Sequence, residues 1–188
     1  KKIAEIDVML DKKEKEISEI INKQSNILKY NYPSDLECYN ICINKTERLW
    51  ERQISDNDFL DIALGYGERE ALINILQQEE KEFQMDKDAL QEMMYEVTKK
   101  LRTLKDVPIT FSLVENEVSA LVIDPTLRKY YLNYLILQLI TLHSGADLKI
   151  VYLMENNKEF DYMKYLNHTW SEDKLTRYFA SDIADMKH

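Results

Sequence analysis

The residues able to do chemistry in this chain are few and scattered. The turn Val122-Ile123-Asp124-Pro125-Thr126-Leu127-Arg128-Lys129 joins a predicted strand to a predicted helix, which is where α/β folds bind phosphate through backbone N–H groups and the helix N-terminus. Arg128 and Lys129 supply positive charge there. The turn has no glycine to allow close approach, Pro125 removes a donor, and Asp124 repels an anion. Glu155 follows the apolar run Val151-Tyr152-Leu153-Met154, the position of an acid that would address Mg²⁺ or water beside a P-loop. Without a P-loop it reads as a loop residue. The histidines at 143, 168 and 188 are dispersed; His143 closes a helix, where the dipole favours a cation. Neither they nor Asp147 and Asp161 have metal-ligand spacing, and no Ser or Cys stands in a nucleophile motif. Cys38 and Cys42, four apart on a predicted helix, read as buried reduced thiols.

Composition narrows the classes further. The chain has 188 residues, 45% of them hydrophobic, with three Gly and three Pro, which suits a packed globular core. With 25 Lys+Arg against 34 Asp+Glu and a net charge of −9, it lacks the basic balance of a nucleic-acid-binding surface. No window approaches the roughly 18 uninterrupted apolar residues of a membrane span, and no signal-peptide apolar region follows Lys1-Lys2.

The elements that must position these groups fall into two parts. Residues 1–29 hold seven Lys and six acids, against 18 basic and 28 acidic residues in the remainder. Ile3, Leu10, Ile17 and Gln24 share one heptad position and Ile6, Lys13, Ile20 and Ile27 another, a narrow apolar seam interrupted by Lys13 and Gln24. This is a long helix, either a stalk or an amphipathic helix lying on its own domain, and too weak a seam for a tight coiled coil. Pro33-Ser34-Asp35 starts a second helix to about Lys45, with Ser34 or Asp35 as N-cap and Glu37 in its first turn. A strand is expected over Phe59–Gly67, with Gly65 and Gly67 marking a bulge or its end, then an ambiguous extended stretch over 71–83. A helix is expected from Asp86 to Lys105. Next come an extended Val107–Leu113, a strand Val118–Ile123, a helix from about Thr126 to His143 and a strand Leu148–Met154. Strand, helix, strand predicts a βαβ unit, hence an α/β fold with a partly parallel sheet flanked by helices. Short helices near Phe160–Tyr165 and Ser181–Lys187 complete it.

Several segments together resemble a known family: Tyr32-Pro33-Ser34, Leu49-Trp50-Glu51-Arg52, Asp58-Phe59-Leu60, Leu64-Gly65-Tyr66-Gly67, Asp106-Val107-Pro108-Ile109 and Leu137 to Ser144. In this order they are similar to the membrane-proximal cytosolic domain of the FtsK/SpoIIIE-type ATPases of type VII secretion, the EssC/EccC kind. Asp147-Leu148-Lys149 and Arg177-Tyr178 agree with it. The chain departs from the pattern at Ala63, at Phe160–Tyr165 and at Asn167. The resemblance implies a juxtamembrane helical stalk over 1–29 and, over 30–188, a degenerate ATPase-like (RecA-like) α/β domain. Such a domain sits on the cytoplasmic side of the cell membrane, between transmembrane helices and downstream ATPase modules that carry the ATP and Mg²⁺.

The function this implies is non-catalytic coupling and assembly, with no cofactor, metal or nucleic acid in the segment. Its partners would be the adjacent ATPase modules, the transmembrane region and other components of the secretion machine. Alternatives are an ATPase using Arg128, Lys129 and Glu155, or a docking site for small helical secretion substrates beside Met93, Met94 and Tyr95. Trp50, Glu51, Arg52 and Asp58 are the candidate interface or fold-anchoring residues. As anchors of the fold, Trp50 plugs the core and Arg52 pairs with a nearby acid to orient a loop; as an interface they meet a neighbouring module.

Overall fold

A computed structural model of the chain describes residues 2–72, 102–154 and 158–182, with side chains at Val8 and from Asp11 onward. The expected helix over 86–101, most of the 71–83 stretch, Met93, Met94, Tyr95, Glu155 and the helix over 183–187 lie outside the described residues, as do the side chains of Ile3, Ile6 and Leu10. The chain divides into two compact units, Lys1–Tyr32 with Ala63–Ile109, and Pro33–Ile62 with Thr110–His188.

In the first unit, α1 spans Lys2–Asn31 and lies against a two-stranded ribbon of β1 (Asp61–Glu70) and β2 (Thr103–Ser112). Leu113 N–H meets the Leu60 carbonyl while Ala71 N–H meets that of Arg102, so the strands run antiparallel. Ile21 and Leu28 of α1 pack on buried Ala71, Leu104 and Val107. Gln24 bonds both the N–H and the carbonyl of Leu72 at 3.0 Å each. Part of the helix thus lies on its own domain, and Gln24, which would weaken a coiled coil, serves instead to hold the strand end. Ile20 and Ile27 stay exposed. Two expectations change here. Thr103 to Lys105 is strand rather than helix, because Leu104 is buried beside Val107 in the ribbon's contact with α1. Gly65 and Gly67 sit inside β1 rather than at its end; a Cβ at Gly67 would stand 3.1 Å from Ile109 Cγ1, so a larger residue there would have to displace the cross-strand isoleucine by a few tenths of an ångström.

In the second unit, α2 (Asp35–Asn44) begins at Ser34 with a full capping box: the Ser34 Oγ accepts from Glu37 N–H, and the Glu37 carboxylate accepts from Ser34 N–H at 2.8 Å. It packs on α3 (Arg128–Leu142), where Cys42 Sγ lies 3.2 Å from Thr141 Oγ1. Cys38 is fully buried, and burial pushes its thiol up to about 12; both cysteines are free. β3 (Tyr152–Leu153) and β4 (Phe179–Ala180) pair in parallel, joined through 3₁₀ helices at Lys158–Tyr165 and Asn167–Thr169. Tyr152 stacks on Phe179 at 5.0 Å over a cluster with Phe160 and Met163.

The fold is therefore mixed helix and strand with one small antiparallel and one small parallel sheet, but the expected βαβ unit does not form. Val118–Ile123 takes no regular structure, since no described strand lies beside it to accept its hydrogen bonds. The strand expected over Leu148–Met154 shrinks to the two residues that meet β4, while Ile150 N–H is taken by the His168 carbonyl.

Candidate functional site

The candidate residues converge on the C-terminal end of α3, within the second unit. A helix leaves its last four carbonyls without intrahelical partners. Here each finds one. Leu139 O accepts from the N–H and the Nδ1 of His143, Ile140 O from the Trp50 indole at 3.1 Å, Thr141 O from Trp50 N–H at 2.8 Å, and Leu142 O from Arg52 N–H at 2.9 Å. The segment Trp50–Arg52 is thus the cap of α3. Trp50 achieves this with φ +64, a left-handed conformation that costs a non-glycine residue about 1 kcal/mol. At 46% exposed it does not plug the core, contrary to that expectation: its ring is spent on reaching the Ile140 carbonyl rather than on filling a void.

Arg52 is the buried member, 3% exposed. Its Nε meets Asp58 Oδ2 at 3.0 Å and its Nη1 donates to the Asp61 carbonyl at 2.6 Å, which folds the 53–61 loop around the guanidinium. The expected loop-orienting ion pair is present. Glu51 instead pairs with Arg48 at 2.8 Å.

The loop in turn presents Leu60, also left-handed at φ +59, so that its N–H donates to His143 Nε2 at 3.0 Å. An accepting Nε2 fixes the proton on Nδ1, which donates to Leu139 O. His143 is fully buried, with the Phe59 ring edge-on at 5.1 Å, and burial lowers its pKa below the usual histidine value. It is therefore a neutral hinge pin and not the helix-end cation its position suggests. His168 Nε2 donates to the His143 carbonyl at 2.9 Å, and burial lowers its pKa too. The two histidines that look dispersed in sequence are consecutive members of one hydrogen-bonded series running from Leu60 through His143 to His168. Their signal lay in the motif segments: Leu137 to Ser144 carries His143, and the departure at Asn167 adjoins His168.

The strand-to-helix turn is elsewhere and differently built. Asp124 Oδ1 accepts from Thr126 N–H at 2.8 Å and from Thr126 Oγ1 at 2.6 Å, and these bonds hold its carboxyl below the usual range. Both donors of Thr126 are thus taken by the chain's own carboxylate. Arg128 and Lys129 are exposed, and Glu155 lies outside the described residues. Among the described residues no group of three His, Cys, Asp or Glu could hold a metal ion, and no helix is long and apolar enough to cross a membrane.

With this geometry in view, the likenesses to known proteins can be placed. No family model matches the chain. It is 27% identical over 159 residues to the ESX secretion system protein YukB of Bacillus subtilis, which covers 84% of this chain and 11% of that protein. Similar matches are the ESX secretion system protein EccC of Geobacillus thermodenitrificans, 24% identical over 85% of the chain and 11% of the relative, and the type VII secretion system protein EssC of Staphylococcus aureus, 28% over 79% and 10%. The chain is homologous to a segment of the type VII secretion proteins of the EssC/EccC kind. It spans about a tenth of the length of these relatives.

Proposed function

We propose that this chain is a non-catalytic coupling and assembly segment of a type VII secretion ATPase. Residues 1–29 serve as the juxtamembrane stalk, and 30–188 form part of a degenerate ATPase-like (RecA-like) domain. In this reading it stands on the cytoplasmic side of the membrane and passes order or motion between the transmembrane part and downstream ATPase modules, where ATP and Mg²⁺ act. The observation that supports it most is how the motif residues spend their polar atoms. Trp50, Arg52, Asp58, Leu60, His143 and His168 bond to helix-end and loop carbonyls or to one another, tying three separated stretches of chain into one joint. A joint of that kind transmits force. It is poorly suited to phosphoryl transfer, which needs charge aimed at a substrate.

Calorimetric titration of the chain with Mg·ATP tests the reading. No saturable heat is expected; saturable binding that Arg128→Ala abolishes would establish the ATPase alternative instead. In the full-length protein, Arg52→Ala is expected to stop secretion while ATP hydrolysis continues. Hydrolysis falling in step with secretion would assign the segment to the catalytic cycle.

A further inference from the structure

The segment Val118-Ser119-Ala120-Leu121-Val122-Ile123 carries a strand's sequence without a strand's surroundings. Three of its six residues are β-branched and it is bounded by turns. Val118 is 95% exposed and Val122 97%, with Leu121 and the preceding Val114 exposed as well. Among the described residues none of the backbone N–H groups of 118–123 has a hydrogen-bond partner; the Ser119 hydroxyl bonds the Asn116 carbonyl, and the next backbone bonds belong to the Asp124 turn.

These two needs together select the occupant. Covering the apolar side chains alone could be done by a helix or another apolar face, but burying the segment also removes its N–H and C=O groups from water, and those must then be paired. An extended strand laid alongside meets both needs at once. The flanking charges select further, with Glu115 and Glu117 before the segment and Asp124 after it, all exposed. Antiparallel pairing with a second copy about Ala120 and Leu121 would set Glu117 opposite Asp124, and parallel in-register pairing would set each acid against itself; like charges directly opposite are destabilising. A second copy is therefore the wrong partner, and an apolar strand flanked by Lys or Arg is the right one.

We propose that residues 118–123 are an unfilled sheet position, completed by an apolar, basic-flanked strand from the remainder of the same polypeptide. The chain spans 10–11% of the length of the relatives it matches, and a polypeptide of their length would have ample sequence to supply it. The inference uses the proposed function only in taking the chain as part of a longer secretion protein, and its test reads no secretion.

The test compares amide hydrogen exchange of this chain with that of the full-length protein. In the chain alone, amides 118–123 are expected to exchange at close to free-peptide rates; in the full-length protein they are expected to slow by about 100-fold or more. Val122→Lys should leave the melting of the chain unchanged, since the side chain is in water, yet abolish that protection in the full-length protein. Equal, fast exchange in both proteins overturns the proposal. So does protection already present in the chain, or protection that appears only when a second protein of the secretion machine or a second copy is added.

Discussion

Two stretches of the second unit, both built around the same helix, have opposite fates. The joint at the C-terminal end of α3 gathers Trp50, Arg52, Leu60, His143 and His168 and pairs the polar groups the helix leaves over. The stretch leading into its N-terminal end, 118–127, shows apolar side chains to water and bonds mainly to itself. The difference lies in where each stretch finds its partners. The joint draws on residues 48–61, 139–144 and 168, all within this chain, so it closes. The strand-like segment needs a neighbouring backbone that the described residues do not provide. One end of the helix is thus closed by the chain's own polar groups, and the other is left open to water.

The contrast breaks most readily at Arg52. Arg52→Ala removes a buried charge, frees the Asp58 carboxylate and strips a charge-assisted donor from the Asp61 carbonyl. Breaking a buried pair typically costs about 3–5 kcal/mol, and because Asp58 is 40% exposed and can return to water, the lower end is expected. Thermal melting should show it as a large drop in Tm, with Arg52→Lys intermediate since lysine restores the charge but not the fork. An unchanged melt would mean that the joint does not hold the unit together.

The histidines give the next effect. Burial holds the folded pKa of both His143 and His168 below the unfolded value of 6.5. Above that value both states are neutral and the stability they contribute is complete. As pH falls through it, the unfolded chain takes up protons that the folded chain refuses, so stability is lost down toward the folded pKa values. The slope is at most about 1.4 kcal/mol per pH unit for each histidine. Lowering pH from about 7 to about 5.5 should therefore depress Tm, and a His143→Gln, His168→Gln double variant should flatten that dependence. Asp124, held low by Thr126, acts in a different window, below its ordinary 3.8. A melt indifferent to pH between about 7 and 5.5 would contradict the neutral, buried assignment.

How much of this was legible in the sequence follows the same division. Local signals read true: a helix start at Ser34 or Asp35 with Glu37 in its first turn, a helix expected over Thr126–His143 and found over Arg128–Leu142, the extended run at Val107 and the pairing of Arg52 with an acid. Each rests on residues within a few positions of one another. Val118–Ile123 looked like a strand because strand propensity reports how a segment suits a sheet, not whether the sheet is there. The 148–154 run fell short for the same reason, finding only Phe179 and Ala180 as neighbours. His143 and His168 were read as unconnected because 25 residues separate them, and only the fold brings the His143 carbonyl to the His168 ring.

Trp50 gives the smallest effect and the sharpest test of what kind of residue caps the helix. If the indole were a core plug, Trp50→Ala would cost about 3–5 kcal/mol. The ring is 46% exposed, so its loss forfeits about half of that area and one hydrogen bond to the Ile140 carbonyl, and about 1–2 kcal/mol is expected. Backbone geometry separates the two accounts more cleanly. At φ +64 any residue with a Cβ is strained, so Trp50→Gly should be more stable than Trp50→Ala by about 1 kcal/mol, even though glycine ordinarily costs more. Trp50→Phe keeps ring and strain but loses the indole N–H, and should fall by no more than the worth of one neutral hydrogen bond. If Trp50→Ala melts as low as Arg52→Ala, or Trp50→Gly melts below Trp50→Ala, the ring is packed more deeply than the cap requires. Melts in the order Phe, Gly, Ala, all above Arg52→Ala, would identify Trp50 as a surface lock. Its exposed half would then be available to a neighbouring module.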